Sequence, residues 1–215
     1  MTGSSVLPVA LHKGKLYFLF GKENDKEDSA KGFSDFGGGI EKGETIQETA
    51  IREGAEEITG FLGNPSQLKT LIRKNGGMMR ICIPDYYTHV FPLQYDTALP
   101  TYYNQNHQFL WNRMDKNVLN RTKLFEKIEI KWFTVHQMKS RMREFRGFYQ
   151  VMVKKLIESA PEIKRFLRKC KCKCCSLRAT CRKRKYGQTR KSIIKSRSCK
   201  PIYKRRNSKS KTYRT

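Results

Sequence analysis

The sequence predicts an α/β domain followed by a basic tail, and three observations predict it. Short apolar runs rich in β-forming residues stand on both sides of a glycine-rich stretch, Phe36 to Phe61, which leads into an amphipathic helix. Lys and Arg are split unevenly: 22 of the 45 lie after Glu162, where no acid occurs, leaving 23 against 19 acids in residues 1–162. The 215 residues suffice to bury a core, so the nearly balanced body reads as one globular domain, 1–162, with residues 163–215 as an appendage.

Val6–Leu11 and Lys15–Phe20 read as strands joined tightly through His12-Lys13-Gly14. Lys22–Gly32 is polar and aperiodic, a surface loop. Thr45-Ile46-Gln47-Glu48 is a capping box and starts the central helix. On that helix Glu53, Glu56 and Glu57 fall within an arc of roughly 100°, with Ala50, Ile51, Gly54, Ala55 and Ile58 on the far side. Leu68–Arg73 and Met78–Ile83 flank Asn75-Gly76-Gly77 and predict a hairpin, followed by a strand over Tyr86–Leu93. Pro100 opens a short helix through Leu110 and Trp111. Leu124–Val135 alternates, with Ile128, Ile130 and Trp132 inward and Lys127, Glu129 and Lys131 outward. Glu144–Leu167 reads as a helix with Phe148, Val151, Met152, Lys155 and Leu156 on one face and a break at Pro161. From Arg168 onward no apolar period survives, which predicts disorder in the unbound chain.

Of seven cysteines, Cys82 stands alone in the body and six lie in the tail, an odd total that gives no disulfide framework. Met1–Ser5 lacks a charged leader, and the early apolar runs are too short to span a bilayer. These features predict an intracellular, reducing location, cytoplasmic or nuclear, without membrane insertion. Cys170, Cys172, Cys174, Cys175 and Cys181 are candidate zinc ligands, although their spacing is not that of a ribbon or knuckle.

Chemistry concentrates in the central stretch. Gly37, Gly38 and Gly39 form a candidate loop for close approach of backbone amides to a phosphate. The carboxylates behind them suit a hard divalent cation, which prefers oxygen and bridges carboxylates to phosphates. Arg52 is placed to hold Glu44 by a charge-assisted hydrogen bond.

The stretch resembles the Nudix box, G-x5-E-x7-R-E-U-x-E-E-x-G-U with U a bulky aliphatic residue. Gly38, Glu44, Arg52, Glu53, Glu56 and Glu57 match it. Two positions depart from it: Gly54 stands where a bulky residue is usual, and Glu-Glu-Ile-Thr-Gly-Phe runs one residue long before its glycine. The resemblance implies an α/β/α sandwich around a mixed sheet and hydrolysis of a diphosphate joined to a nucleoside. It implies that Glu53, Glu56 and Glu57 bind Mg²⁺ or Mn²⁺, that one of these or a later Glu deprotonates water, and that Glu44 orients. Glu129 and Glu126 are the later candidates.

The box fixes the bond and leaves the substrate open. A tail carrying 22 positive charges attracts polyanions, and a Nudix domain with such a tail is similar in outline to mRNA-decapping Nudix enzymes, including those of large DNA viruses. Trp111, Tyr102, Tyr103 and Tyr86 are then candidates to stack on a cap. The alternatives are a pyrophosphatase for small nucleotides or diphosphoinositol polyphosphates, and a nucleic-acid-binding protein that keeps the fold without catalysis. The partners implied are a nucleotide or capped RNA, and nucleic acid along the tail. Oligomeric state is left open.

Overall fold

The computed structural model describes residues 2–24, 31–115, 117–118 and 126–170. Strands β1 (Gly3–His12) and β2 (Lys15–Glu23) form the expected hairpin, and Lys13 (φ 46°) and Gly14 (φ 76°) supply the paired left-handed conformations of a tight turn. Short strands β3 (Phe33–Ser34) and β4 (Phe36–Gly39) follow, then helices α1 (Ile46–Glu57) and α2 (Pro65–Lys74), and strands β5 (Met79–Ile83) and β6 (Tyr86–Pro92). Helix α3 (Ala98–Trp111), strand β7 (Lys127–Thr134), helix α4 (Val135–Ser140) and helix α5 (Gln150–Glu158) follow, with residues 160–170 helical after α5.

The sheet is mixed. Its order is β3-β2-β1-β6-β5, with β4 also paired to β1 and β7 to β2. Among the strands of the described residues, β1 and β6 run parallel and the other pairs antiparallel. Each face carries its own core. On one, Ala50, Ile51 and Ile58 of α1, Leu68 and Ile72 of α2 and Tyr103 of α3 pack on Val6, Leu19, Ile130 and Trp132. On the other, Met138 of α4, Met152, Val153 and Leu156 of α5, and Ile163 and Leu167 pack on Leu7, Phe18, Phe20 and Phe133. This is the α/β/α sandwich.

Several expectations need correction. Leu68–Arg73 is not a strand: Asn64 caps a helix reciprocally with Gln67, Pro65 sits in its first turn, and Leu68 and Ile72 fall on one buried face. Asn75-Gly76-Gly77 accordingly ends a helix, with the Gly77 amide donating to Ile72 and the Gly76 amide to Arg73 in a Schellman arrangement. The C-terminal helix breaks at Ser159 rather than at Pro161, which lies in the first turn of the next helix, where its missing N–H costs nothing. Phe148 and Val151 face outward, each 56% exposed, while Met152, Val153 and Leu156 are buried. Residues 160–170 continue past residue 162 because Ile163, Leu167 and Cys170 are buried, Cys170 against Gly76. The remaining tail cysteines, the basic run and the expectation of disorder lie outside the described residues, as does most of the Lys22–Gly32 loop.

Candidate active site

The capping box forms as the sequence indicates: the Thr45 hydroxyl accepts from the Glu48 amide, and the Glu48 carboxylate accepts from the Thr45 amide at 3.0 Å. It sets the start of α1, and so which turn each later glutamate occupies. At the other end the helix closes in a Schellman arrangement, with the Gly60 amide donating to Ala55 and the Thr59 amide to Glu56. Thr59 holds the left-handed conformation (φ 54°) that glycine takes without cost. That is the position where the box pattern has its glycine, which explains why Gly60 falls one residue late.

Gly54 has an equally direct cause. A Cβ there would overlap Cγ2 of Val6, so α1 lies on β1 at a separation that no larger residue permits. The three glycines are strand residues, with Gly37, Gly38 and Gly39 opposite Ser5, Ser4 and Gly3. The sequence expectation of a loop is corrected here: the three glycines pair with β1 as part of strand β4. A Cβ on Gly38 would stand 2.6 Å from the Glu53 carboxylate, so this glycine makes room for a box glutamate. The Gly37 amide donates to Glu57 Oε2 at 2.7 Å.

Arg52 organises the outer half of the site. Its Nε and Nη2 donate to the two oxygens of Glu44 at 2.6 and 2.9 Å, and its Nη1 donates to Glu53 Oε1 at 2.7 Å. Thr49 Oγ1 adds a bond to Glu44 at 2.8 Å. Arg52 first, then Thr49, hold the Glu44 carboxyl down at about 2, and Glu44 in turn raises the guanidinium above its ordinary value.

The inner half was not legible in the sequence. Glu57 is only 5% exposed, and its Oε1 pairs with Nζ of Lys127 at 3.1 Å. Lys127, expected on an outward strand face, is 1% exposed and also binds Glu23 and Ser34 Oγ. Arg146 Nη1 closes the cluster on Glu23 at 2.7 Å. Burial pushes the Glu57 carboxyl up to about 8 against the pull of Lys127. Burial also disfavours the Lys127 ammonium, but Glu57 and Glu23 outweigh it and hold its pKa above the ordinary value.

Of the later glutamates, Glu126 acts electrostatically on Glu57, whereas Glu129 acts on Arg141 and lines a separate cavity of about 700 Å³ with Asn24, Asn104, His107, Gln108 and Trp111. Tyr103, from the same helix as Trp111, donates to the Lys127 carbonyl at 2.8 Å and to that of Glu57 at 3.3 Å. Tyr103 is therefore a core residue, and Tyr86 bonds to the buried Asp35 at 2.8 Å. Tyr102 is exposed, and the Trp111 ring stacks on His107. Among the described residues no three His, Cys, Asp or Glu side chains converge as a ready metal cage. The carboxylates of Glu53 and Glu57 are turned to separate cations, Arg52 and Lys127. The donor set is nonetheless all oxygen on two successive helical turns, which suits a hard divalent cation.

Capped box helix, pinned glutamates and mixed sheet together define an anhydride-hydrolase scaffold. The NUDIX domain family matches residues 3–152, and the chain belongs to that family. It is a Nudix hydrolase, a pyrophosphatase acting on phosphorus-containing acid anhydrides. No curated protein matches the chain. Among solved structures it is similar to the Nudix hydrolase RenU from M. smegmatis, at 12% identity over 76% of this chain and 88% of that one, with a TM-score of 0.45. A mutT/nudix family protein from Listeria innocua shares 14% identity over 74% and 93% of the two chains, TM-score 0.42. The C. elegans Ap4A hydrolase in a binary complex shares 11% over 75% and 99%, TM-score 0.42. No helix among the described residues is long and apolar enough to cross a membrane.

Proposed function

We propose that the chain hydrolyses the diphosphate linkage of a nucleoside diphosphate derivative, with Mg²⁺ or Mn²⁺ held by Glu53, Glu56 and Glu57. The observation that carries this reading is the double pinning of the box by Arg52, which fixes Glu44 through both oxygens and Glu53 through one. Bound there, a divalent cation supplies charge neutralisation at the bridging oxygens and a more acidic water. The chain's own residues fix the ligand carboxylates, and Glu126, which acts on Glu57, is the candidate to accept the water's proton.

The 5′ cap of mRNA is the substrate we favour. The 22 positive charges after Glu162 support attraction of an RNA body, which falls steeply with salt. Trp111 and Glu129, lining one cavity, supply the aromatic face and the acid that an alkylated, cationic base requires. Product analysis tests this. Release of m⁷GDP from capped RNA, diminished when residues 171–215 are removed, is the expected result. Activity confined to nucleoside triphosphates, dinucleoside polyphosphates or diphosphoinositol polyphosphates would sink the cap reading and leave the pyrophosphatase.

A further inference from the structure

Arg52 anchors Glu44 and Glu53, and the opposite end of the box has an anchor of its own. Glu57 takes Lys127 Nζ on Oε1 at 3.1 Å and the Gly37 amide on Oε2 at 2.7 Å. The two donors come from different strands, β7 and β4, so the carboxylate is fixed at both oxygens by the sheet beneath it. Each carboxylate oxygen keeps a second lone pair for a further ligand. We infer that Lys127 is a positioning residue for hydrolysis, an internal cation that fixes Glu57 from the core side so that its remaining lone pairs meet the metal. This rests on the reading of Glu57 as a metal ligand.

The plainer reading is a stabilising ion pair, and physical chemistry argues against it as a full account. Burying charges carries a desolvation penalty that can exceed their mutual attraction, and apolar replacements of buried pairs are often neutral or stabilising. Lys127 is nevertheless 1% exposed and is held by a shell of its own: the Glu23 carboxylate, Ser34 Oγ at 3.1 Å, and Arg146 acting on Glu23 at 2.7 Å. Glu23 and Glu57 set two carboxyl groups against the two cations Lys127 and Arg146. The stem is accommodated too, since a Cβ on Gly21 would stand 2.8 Å from Lys127 Cγ. Tyr103 ties the two backbones together by donating to the carbonyls of Lys127 and Glu57. Of the four matched box acids, Glu57 pairs with this cluster, while Glu44, Glu53 and Glu56 pair with Arg52.

The test uses the full chain. Lys127→Met strands two buried carboxylates, so it is paired with Lys127→Met/Glu23→Gln, which keeps the cluster neutral. Mn²⁺ binding without substrate is followed by electron paramagnetic resonance, together with melting temperature, kcat and KM. The inference expects the double variant to melt close to wild type while its Mn²⁺ affinity and kcat fall about 10–100-fold and KM for the nucleotide stays put. A folded double variant with wild-type Mn²⁺ affinity and kcat overturns it. Gly21→Ala, which crowds the Lys127 stem and the Phe36 ring without removing a charge, is expected to give the same split more mildly. Should the double variant not fold, unchanged Mn²⁺ affinity in Gly21→Ala overturns the inference. Wild-type protein that binds no Mn²⁺ sinks the metal reading itself, which separates the two failures.

Discussion

Arg52 grips both oxygens of Glu44, a bidentate bond that needs its planar guanidinium. Lys has no planar fork, so Arg52→Lys is expected to lower hydrolysis about 10–100-fold while the protein stays folded, as steady-state kinetics and circular dichroism would show. The same pair gives a pH dependence. The folded Glu44 carboxyl is held at about 2, below its ordinary 4.5, so its contribution to stability is complete above about 4.5 and lost as pH falls toward 2. Wild type should therefore lose more melting temperature than Glu44→Gln across that window; parallel curves would contradict the pairing. Lys127 was illegible for a physical reason. Alternation along β7 assigns charged residues to water, and its partner Glu23 lies 104 residues away in sequence, where no local pattern reports it.

Elements with local signals were legible and those needing tertiary context were not. The Thr45 capping box and the β1–β2 turn carry their own chemistry. At α2 the Asn-Gly-Gly signal was ambiguous, because a Schellman cap and a hairpin turn demand the same left-handed glycine. The two departures from the box pattern lead to predictions about α1. Gly54→Ile drives a side chain into Val6 and should cost about 1–3 kcal/mol, with partial recovery in Gly54→Ile/Val6→Ala. Thr59→Gly relieves a β-branched residue at φ 54° and should raise stability by roughly 0.5–1 kcal/mol in denaturant titrations. A loss of stability would mean that the 3.5 Å Thr59–Tyr103 contact matters more than the backbone.

Across the molecule, charge located the basic segment but not the end of the packed body. Ile163, Leu167 and Cys170 are spaced along a helix whose exposed face is lysine and arginine, so composition assigned it to the tail. A chain ending at residue 170 should melt like the full protein, whereas one ending at 162 loses two large apolar side chains from the second core and should melt well below it. The sandwich positions the site by trapping the box between two anchors, Arg52 on its own helix and Lys127 on β7. The central claim is that these anchors serve a metal-dependent hydrolysis. Its most direct test is turnover of a panel of nucleoside diphosphate derivatives, capped RNA included, with Mg²⁺ or Mn²⁺, with chelator, and with Glu53→Gln. The account predicts hydrolysis of at least one member that chelator abolishes, added metal restores and Glu53→Gln lowers roughly 10²–10³-fold; turnover that survives both chelator and Glu53→Gln would contradict it.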